Sequence, residues 1–119
     1  MLLVIADGAR PDRADEISRC HAARSAVEQF DWQCEVVRNY SDVNLGCGLR
    51  VATGLDWVFQ NVPEAIILED DCLPHPSFFA YCECLLERYR NDERVMHVGG
   101  NNFGASEGVF GAYSYLFSS

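Results

Sequence analysis

Two rhythms of apolar residues alternate along this chain. Short β-friendly runs at Leu2–Ala6, Cys34–Arg38, Ala65–Leu68 and Val95–Val98 have the length of buried strands. Between them, apolar positions recur at three- and four-residue spacing and predict helices. Ile17, Cys20, His21, Arg24 (through its aliphatic stem), Val27 and Phe30 form the first stripe. Leu49, Ala52, Leu55, Val58 and Phe59 form the second, in a helix from about Gly46 to Gln60. Phe78, Phe79, Cys82, Leu85, Leu86 and Tyr89 form the third. The punctuation agrees. Asp7-Gly8 closes the first strand, Pro11-Asp12 opens the first helix with Asp12 as its N-cap, Asn61-Val62-Pro63 stops the second, and Pro76 suits the first turn of the third.

Strands alternating with helices predict an α/β protein, a three-layer α/β/α arrangement around a mainly parallel sheet, as one domain over residues 1–119. The carboxyl ends of parallel strands share one edge. Asp7, the loop after Arg38, Glu69-Asp70-Asp71 and the Gly99-Gly100-Asn101 turn are therefore expected to meet there, where open α/β sheets bind ligands.

Glu69-Asp70-Asp71 is the strongest single signal. A buried strand ends in three like charges, which costs stability unless a cation sits there. Oxygen-only donors suit Mg²⁺ or Mn²⁺, ions that bridge one or two protein carboxylates to a phosphorylated substrate. Successive side chains on an extended backbone alternate in direction, so at most two aim into one site. The plainer alternative is a solvated cluster with one carboxylate capping the next helix. Asp7 is placed to accept hydrogen bonds from a ribose or base, or is an ordinary Asp-Gly turn. Arg50 stands where a guanidinium and helix N–H groups meet an anion, or is a surface arginine.

Composition narrows the classes. The net charge is −9 and all nine basic residues are arginines. That argues against nucleic-acid or anionic-membrane partners and removes lysine-dependent chemistry. No apolar run has the length of a membrane span, and the first residues lack the basic region and cleavage site of a signal peptide, so a soluble, cytoplasmic protein is expected. The six cysteines match no zinc spacing, and most read as small buried residues in a reducing compartment, with a disulfide framework as the lesser alternative. His21 reads as a helix-surface or partly packed residue, His75 as exposed between two prolines with a metal or phosphate contact as its alternative, and His97 as a satisfied core residue within its strand.

Asn44-Leu45-Gly46-Cys47-Gly48-Leu49-Arg50, Ala65 through Phe79, and Val98-Gly99-Gly100-Asn101 together resemble the nucleotide-diphospho-sugar transferases of the GT-A fold, family 2-like bacterial glycosyltransferases above all. Glu69-Asp70-Asp71 followed by Pro76-Ser77-Phe78-Phe79 is also similar to the acidic motif and helix of the N-acetylglucosaminyltransferase I family. The resemblance implies that Asp71 ligates Mn²⁺ or Mg²⁺ on the sugar-nucleotide diphosphate and that Asp70 bonds the ribose, with Glu69 its less essential neighbour. It implies a nucleotide-base contact for Asp7, with Arg50 beside it. The match opens on the family's second strand and stops before its acceptor-binding segment and base. The chain is thus expected to be a partial GT-A domain that binds the donor, with an acceptor that the sequence does not name, and without turnover on its own. A homo-oligomer is expected, paired through the apolar tail (Val109, Phe110, Tyr113, Tyr115, Leu116, Phe117) or a strand edge. The alternative is a non-catalytic remnant acting as a metal- or nucleotide-binding or self-association module. A phosphoacceptor signalling domain fits the length, but it needs a lysine that this chain lacks.

Overall fold

The computed structural model describes residues 1–29 and 31–100 and the backbone of 114–118. They fall into two units, Met1–Val58 and Phe59–Ser119.

In the first unit, β1 (Leu2–Ala6), α1 (Ala14–Ala26), β2 (Val36–Tyr40) and most of α2 (Cys47–Asn61) follow one another. β1 and β2 pair in parallel, from Leu2 opposite Val36 to Ala6 opposite Tyr40. Strand β2 begins and ends two residues later than its apolar run suggests, so Asn39 and Tyr40 belong to the strand rather than to the loop.

Helix α1 departs from its predicted stripe. None of its residues is fully buried. Ile17 and His21 are exposed, Cys20, Arg24 and Val27 are half-buried, and Phe30 lies outside the described residues. Polar ties hold it instead. Arg38 of β2 donates from Nε and Nη2 to the two oxygens of Glu28, at 2.8 and 2.7 Å, just past the helix end. The helix entry is also not capped by Asp12. Arg13 is the N-cap residue and caps with no side-chain bond. The Arg10 backbone N–H and guanidinium both donate to Glu16, and this clasp sets the first turn.

Helix α2 buries Arg50, Gly54 and Val58, a ridge at four-residue spacing, while Leu49 and Ala52 of the predicted stripe are exposed. Gly54 is the reason α2 can lie on β1. A Cβ there would stand 3.0 Å from both Cδ1 and Cγ2 of Ile5.

In the second unit, β3 (Glu64–Leu68), α3 (Ser77–Tyr89), β4 (His97–Gly99) and β5 (Ser114–Ser118) form a three-stranded sheet in the order β3-β5-β4, with α3 between its first two strands in sequence. β5 is antiparallel to both neighbours, from Glu64 opposite Ser118 to Leu68 opposite Ser114, and from His97 opposite Phe117 to Gly99 opposite Tyr115. β3 and β4 therefore run the same way, as an α/β chain requires, but an antiparallel strand separates them. Among the described residues parallel pairing is confined to β1 and β2, so the expectation of a mainly parallel sheet is replaced by two separate sheets. The physical reason is that β3 and β4 each need a partner for their ladder N–H and C=O groups, and the tail supplies one to both. Residues 114–118 of the tail are thus used within their own chain; Val109, Phe110 and Tyr113 lie outside the described residues.

The α3 stripe comes out as predicted except at Phe79, with Cys82 fully buried and Phe78, Leu85, Leu86 and Tyr89 half-buried. Phe79 is exposed and meets Phe78 edge-on, ring centres 5.7 Å apart. His97 corrects its sequence reading. The strand starts two residues later than Val95, and His97 is an exposed first residue rather than a core one. Arg90 ties the end of α3 to the start of β3, reaching Glu64 at 3.1 Å and Glu87 at 2.9 Å. Among the described residues no helix is long and apolar enough to cross a membrane.

Two outcomes are expected. All six cysteines are free thiols, and burial pushes the Cys82 thiol up from its ordinary value while Cys47 and Cys84 are exposed. A thiol reagent should modify Cys47 and Cys84 in the native chain and reach Cys82 only on unfolding, which peptide mapping by mass spectrometry reads directly. Hydrogen bonds from Arg10 hold the Glu16 carboxyl down to about 2 from the ordinary 4.5. Lowered in the fold, this group contributes stability above its unfolded value, and the contribution is lost as pH falls from about 4.5 towards 2. A carbon-13 titration of Glu16 should show that low midpoint, and Arg10→Ala should return it to the ordinary range.

Candidate functional site

At the carboxyl edge of the parallel pair, β1 runs out through Asp7-Gly8 and β2 through Ser41. The Ser41 N–H donates to Ala6 O at 3.0 Å, which extends the ladder by one bond. Beyond it the two exits lie backbone against backbone. A Cβ on Gly8 would come within 2.5–2.7 Å of the N, C and O atoms of Val43, so only glycine fits.

The Asp7 carboxylate organises the loop that enters α2. Oδ1 accepts from the N–H groups of Gly8 and Leu45, each at 2.9 Å. Oδ2 accepts from Gly46 N–H at 2.9 Å and from Asn44 Nδ2 at 3.1 Å, and shares Leu45 N–H at 3.2 Å. Asn44 Nδ2 also donates to Gly8 O at 2.9 Å. Gly46 adopts φ +75°, a left-handed backbone that favours glycine. Its N–H is held by Asp7 while its carbonyl accepts Arg50 N–H at 2.9 Å, the first bond of α2.

Two guanidinium groups meet this edge from the helices. Arg24 of α1 donates through Nη2 to Asp7 O at 3.0 Å and Ser41 O at 2.7 Å, joining the two strand exits. Its carbon Cζ stands 4.8 Å from the centre of the Tyr40 ring, a cation–π contact. Arg50 of α2 is buried and donates through Nη2 to the backbone and side-chain oxygens of Asn39 in β2. Among the described residues neither arginine forms an ion pair with a carboxylate, and the Nε atoms of both and the Tyr40 hydroxyl are buried without a hydrogen-bond partner.

The second unit carries the acidic motif. β3 ends at Leu68, and the Cys72 N–H donates to Glu69 O at 3.1 Å, closing a tight turn over Glu69-Asp70-Asp71-Cys72. All three carboxylates are exposed. Asp71 Oδ1 lies 3.7 Å from the Cys72 thiol, a weak contact. No arginine among the described residues pairs with any of the three. The chain then enters α3 through His75, whose Nδ1 lies 2.7 Å from Ser77 Oγ and accepts the Ser77 N–H at 3.3 Å. The exits of β3 and β4 lie at the same end of their sheet, beside the first residues of β5.

The predicted site residues are thus distributed in two groups. Asp7 and Arg50 come together at the edge of the first unit, and Glu69, Asp70 and Asp71 share one turn of the second. Among the described residues no three His, Cys, Asp or Glu side chains converge as a closed metal cage. The acidic turn instead offers exposed oxygen donors with no cation of the chain's own, a donor set that fits a hard ion keeping several waters and taking one or two carboxylates. Sequence reasoning missed Arg24, Asn39 and Tyr40 as parts of the first edge. Arg24 was readable only as a helix stem, and nothing in local sequence marks the carbonyls it would reach.

Comparison of the chain with protein-family models, characterised proteins and solved structures finds no match.

Two substitutions check this geometry. Gly8→Ala should destabilise the first unit by roughly 1–3 kcal/mol, because its methyl meets backbone rather than a movable side chain. Tyr40→Phe should leave stability unchanged or raise it by up to about 1 kcal/mol, since the hydroxyl it removes is buried without a partner. Denaturant melts of the two variants report both.

Proposed function

We propose that this chain is a metal-dependent glycosyltransferase-like domain of the GT-A type, which binds a nucleotide-diphospho-sugar through Glu69-Asp70-Asp71. The observation that carries the reading is the acidic turn itself. Three consecutive exposed carboxylates follow a strand end without an arginine partner among the described residues, so the chain leaves their repulsion uncompensated. A bound divalent cation relieves it, and a diphosphate then completes the ion's oxygen shell.

In this reading Asp71 is the principal protein ligand of Mn²⁺ or Mg²⁺. Asp70 accepts from the ribose hydroxyls, and Glu69 adds negative potential beside them. The ion would neutralise charge on the departing nucleoside diphosphate as the sugar bond breaks. The tight turn closed by Cys72 N–H on Glu69 O holds the three residues together, and α3 begins five residues after it, at Ser77. Among the described residues no guanidinium is bonded to them, and the weak Cys72 thiol contact takes up only one oxygen of Asp71, which supports their availability to a metal.

Calorimetric titration with Mn²⁺ and UDP, and separately GDP, tests this. Metal-dependent binding is expected for at least one nucleotide, and Asp71→Ala should weaken it by tenfold or more, the scale of a lost charge-assisted contact. The same variant should melt no lower than the native chain, because it removes one of three crowded charges. Unchanged affinity in Asp71→Ala would overturn the assignment.

A further inference from the structure

We infer that Asp7 is a positioning residue, which fixes the entry to α2 and the base of Arg50 and does not itself contact ligand; as a statement about the nucleotide site, this rests on the function proposed above. An ionised carboxylate has about four lone-pair positions. Four donors of the chain already occupy them, the N–H groups of Gly8, Leu45 and Gly46 and the side-chain amide of Asn44. No acceptor position is left for a ribose hydroxyl or a base N–H. The bonds lead onward instead. Gly46 passes from Asp7 on its N–H to Arg50 on its carbonyl, and Arg50 closes the circuit on Asn39 of β2. Arg50 is 8% exposed, and its guanidinium is directed to the strand rather than to solvent. Asp7 therefore sets where α2 starts and how Arg50 is seated.

Amide hydrogen exchange in the ligand-free chain tests the positioning role independently of any nucleotide. Asp7→Asn places an amide donor against the donors it should accept, so exchange at Leu45 and Gly46 should quicken roughly tenfold or more, while Val37 in β2 keeps its protection. Should Asp7→Asn not fold, Asn44→Ala removes one of the four donors and should quicken the same two amides less. Unchanged protection at Leu45 and Gly46 would overturn the inference.

Affinity for Mg²⁺–UDP supplies the second readout. Gly46→Ala disturbs the same entry, because alanine is strained at the φ of +75° that glycine adopts freely, so its effect and that of Asp7→Asn should be strongly non-additive. Additive losses, with the Leu45 and Gly46 amides undisturbed, would make Asp7 a direct contact. If the native chain binds neither UDP nor GDP with Mg²⁺ or Mn²⁺, the proposed function fails, while the exchange result still decides the role of Asp7.

Discussion

The first unit turns on one carboxylate. Asp7 stands where β1 ends, and four donors from neighbouring segments converge on it. A loop that must reverse direction between β2 and α2 carries backbone N–H groups that no ladder satisfies, and leaving them buried is costly. Asp7 satisfies two of them at once, on Leu45 and Gly46, with the stronger bonds that an ionised acceptor makes. Gly8 lets the two backbones approach closely enough for this, and Gly46 supplies the positive φ that the turn into α2 requires.

The arginines complete that frame from the other side. Arg24 reaches the carbonyls of Asp7 and Ser41 through a single nitrogen, and Arg50 reaches both oxygens of Asn39 in the same way. A guanidinium can brace backbone carbonyls while its charge lies over a ring, as that of Arg24 does over Tyr40. The buried, unpartnered Nε atoms are the cost of seating these groups inside.

The acidic residues of the two units are opposites in the physical sense. Asp7 is saturated by its own chain, while Glu69, Asp70 and Asp71 stand exposed on a turn with no cation beside them among the described residues. Saturation makes a carboxylate a structural tie, whereas unmet charge makes it a donor available to something else. The proposed division of labour rests on that difference, with metal and ribose at the exposed turn and loop geometry at Asp7.

Sequence by itself determined the order of the elements from β1 to β4, the three-residue and four-residue face of α3 with Cys82 at its centre, and the strand–turn–helix setting of the acidic motif. These depend on local periodicity, on prolines and on runs of like charge, which are properties of neighbours in the chain. Tertiary structure decided the rest. The buried ridge of α2 contains Arg50 and Gly54, residues that hydropathy assigns to a surface or a helix defect; close approach of Ile5 and the carbonyl of Asn39 put them inside. Helix α1 is held by Arg24 and Glu28 rather than by its apolar stripe. The insertion of β5 between β3 and β4 was not readable either, because strand pairing is a contract between distant segments. Asp7 shows the difference most plainly, since an Asp-Gly pair reads the same whether its carboxylate faces a ligand or, as here, the N–H groups of a loop nearly forty residues away.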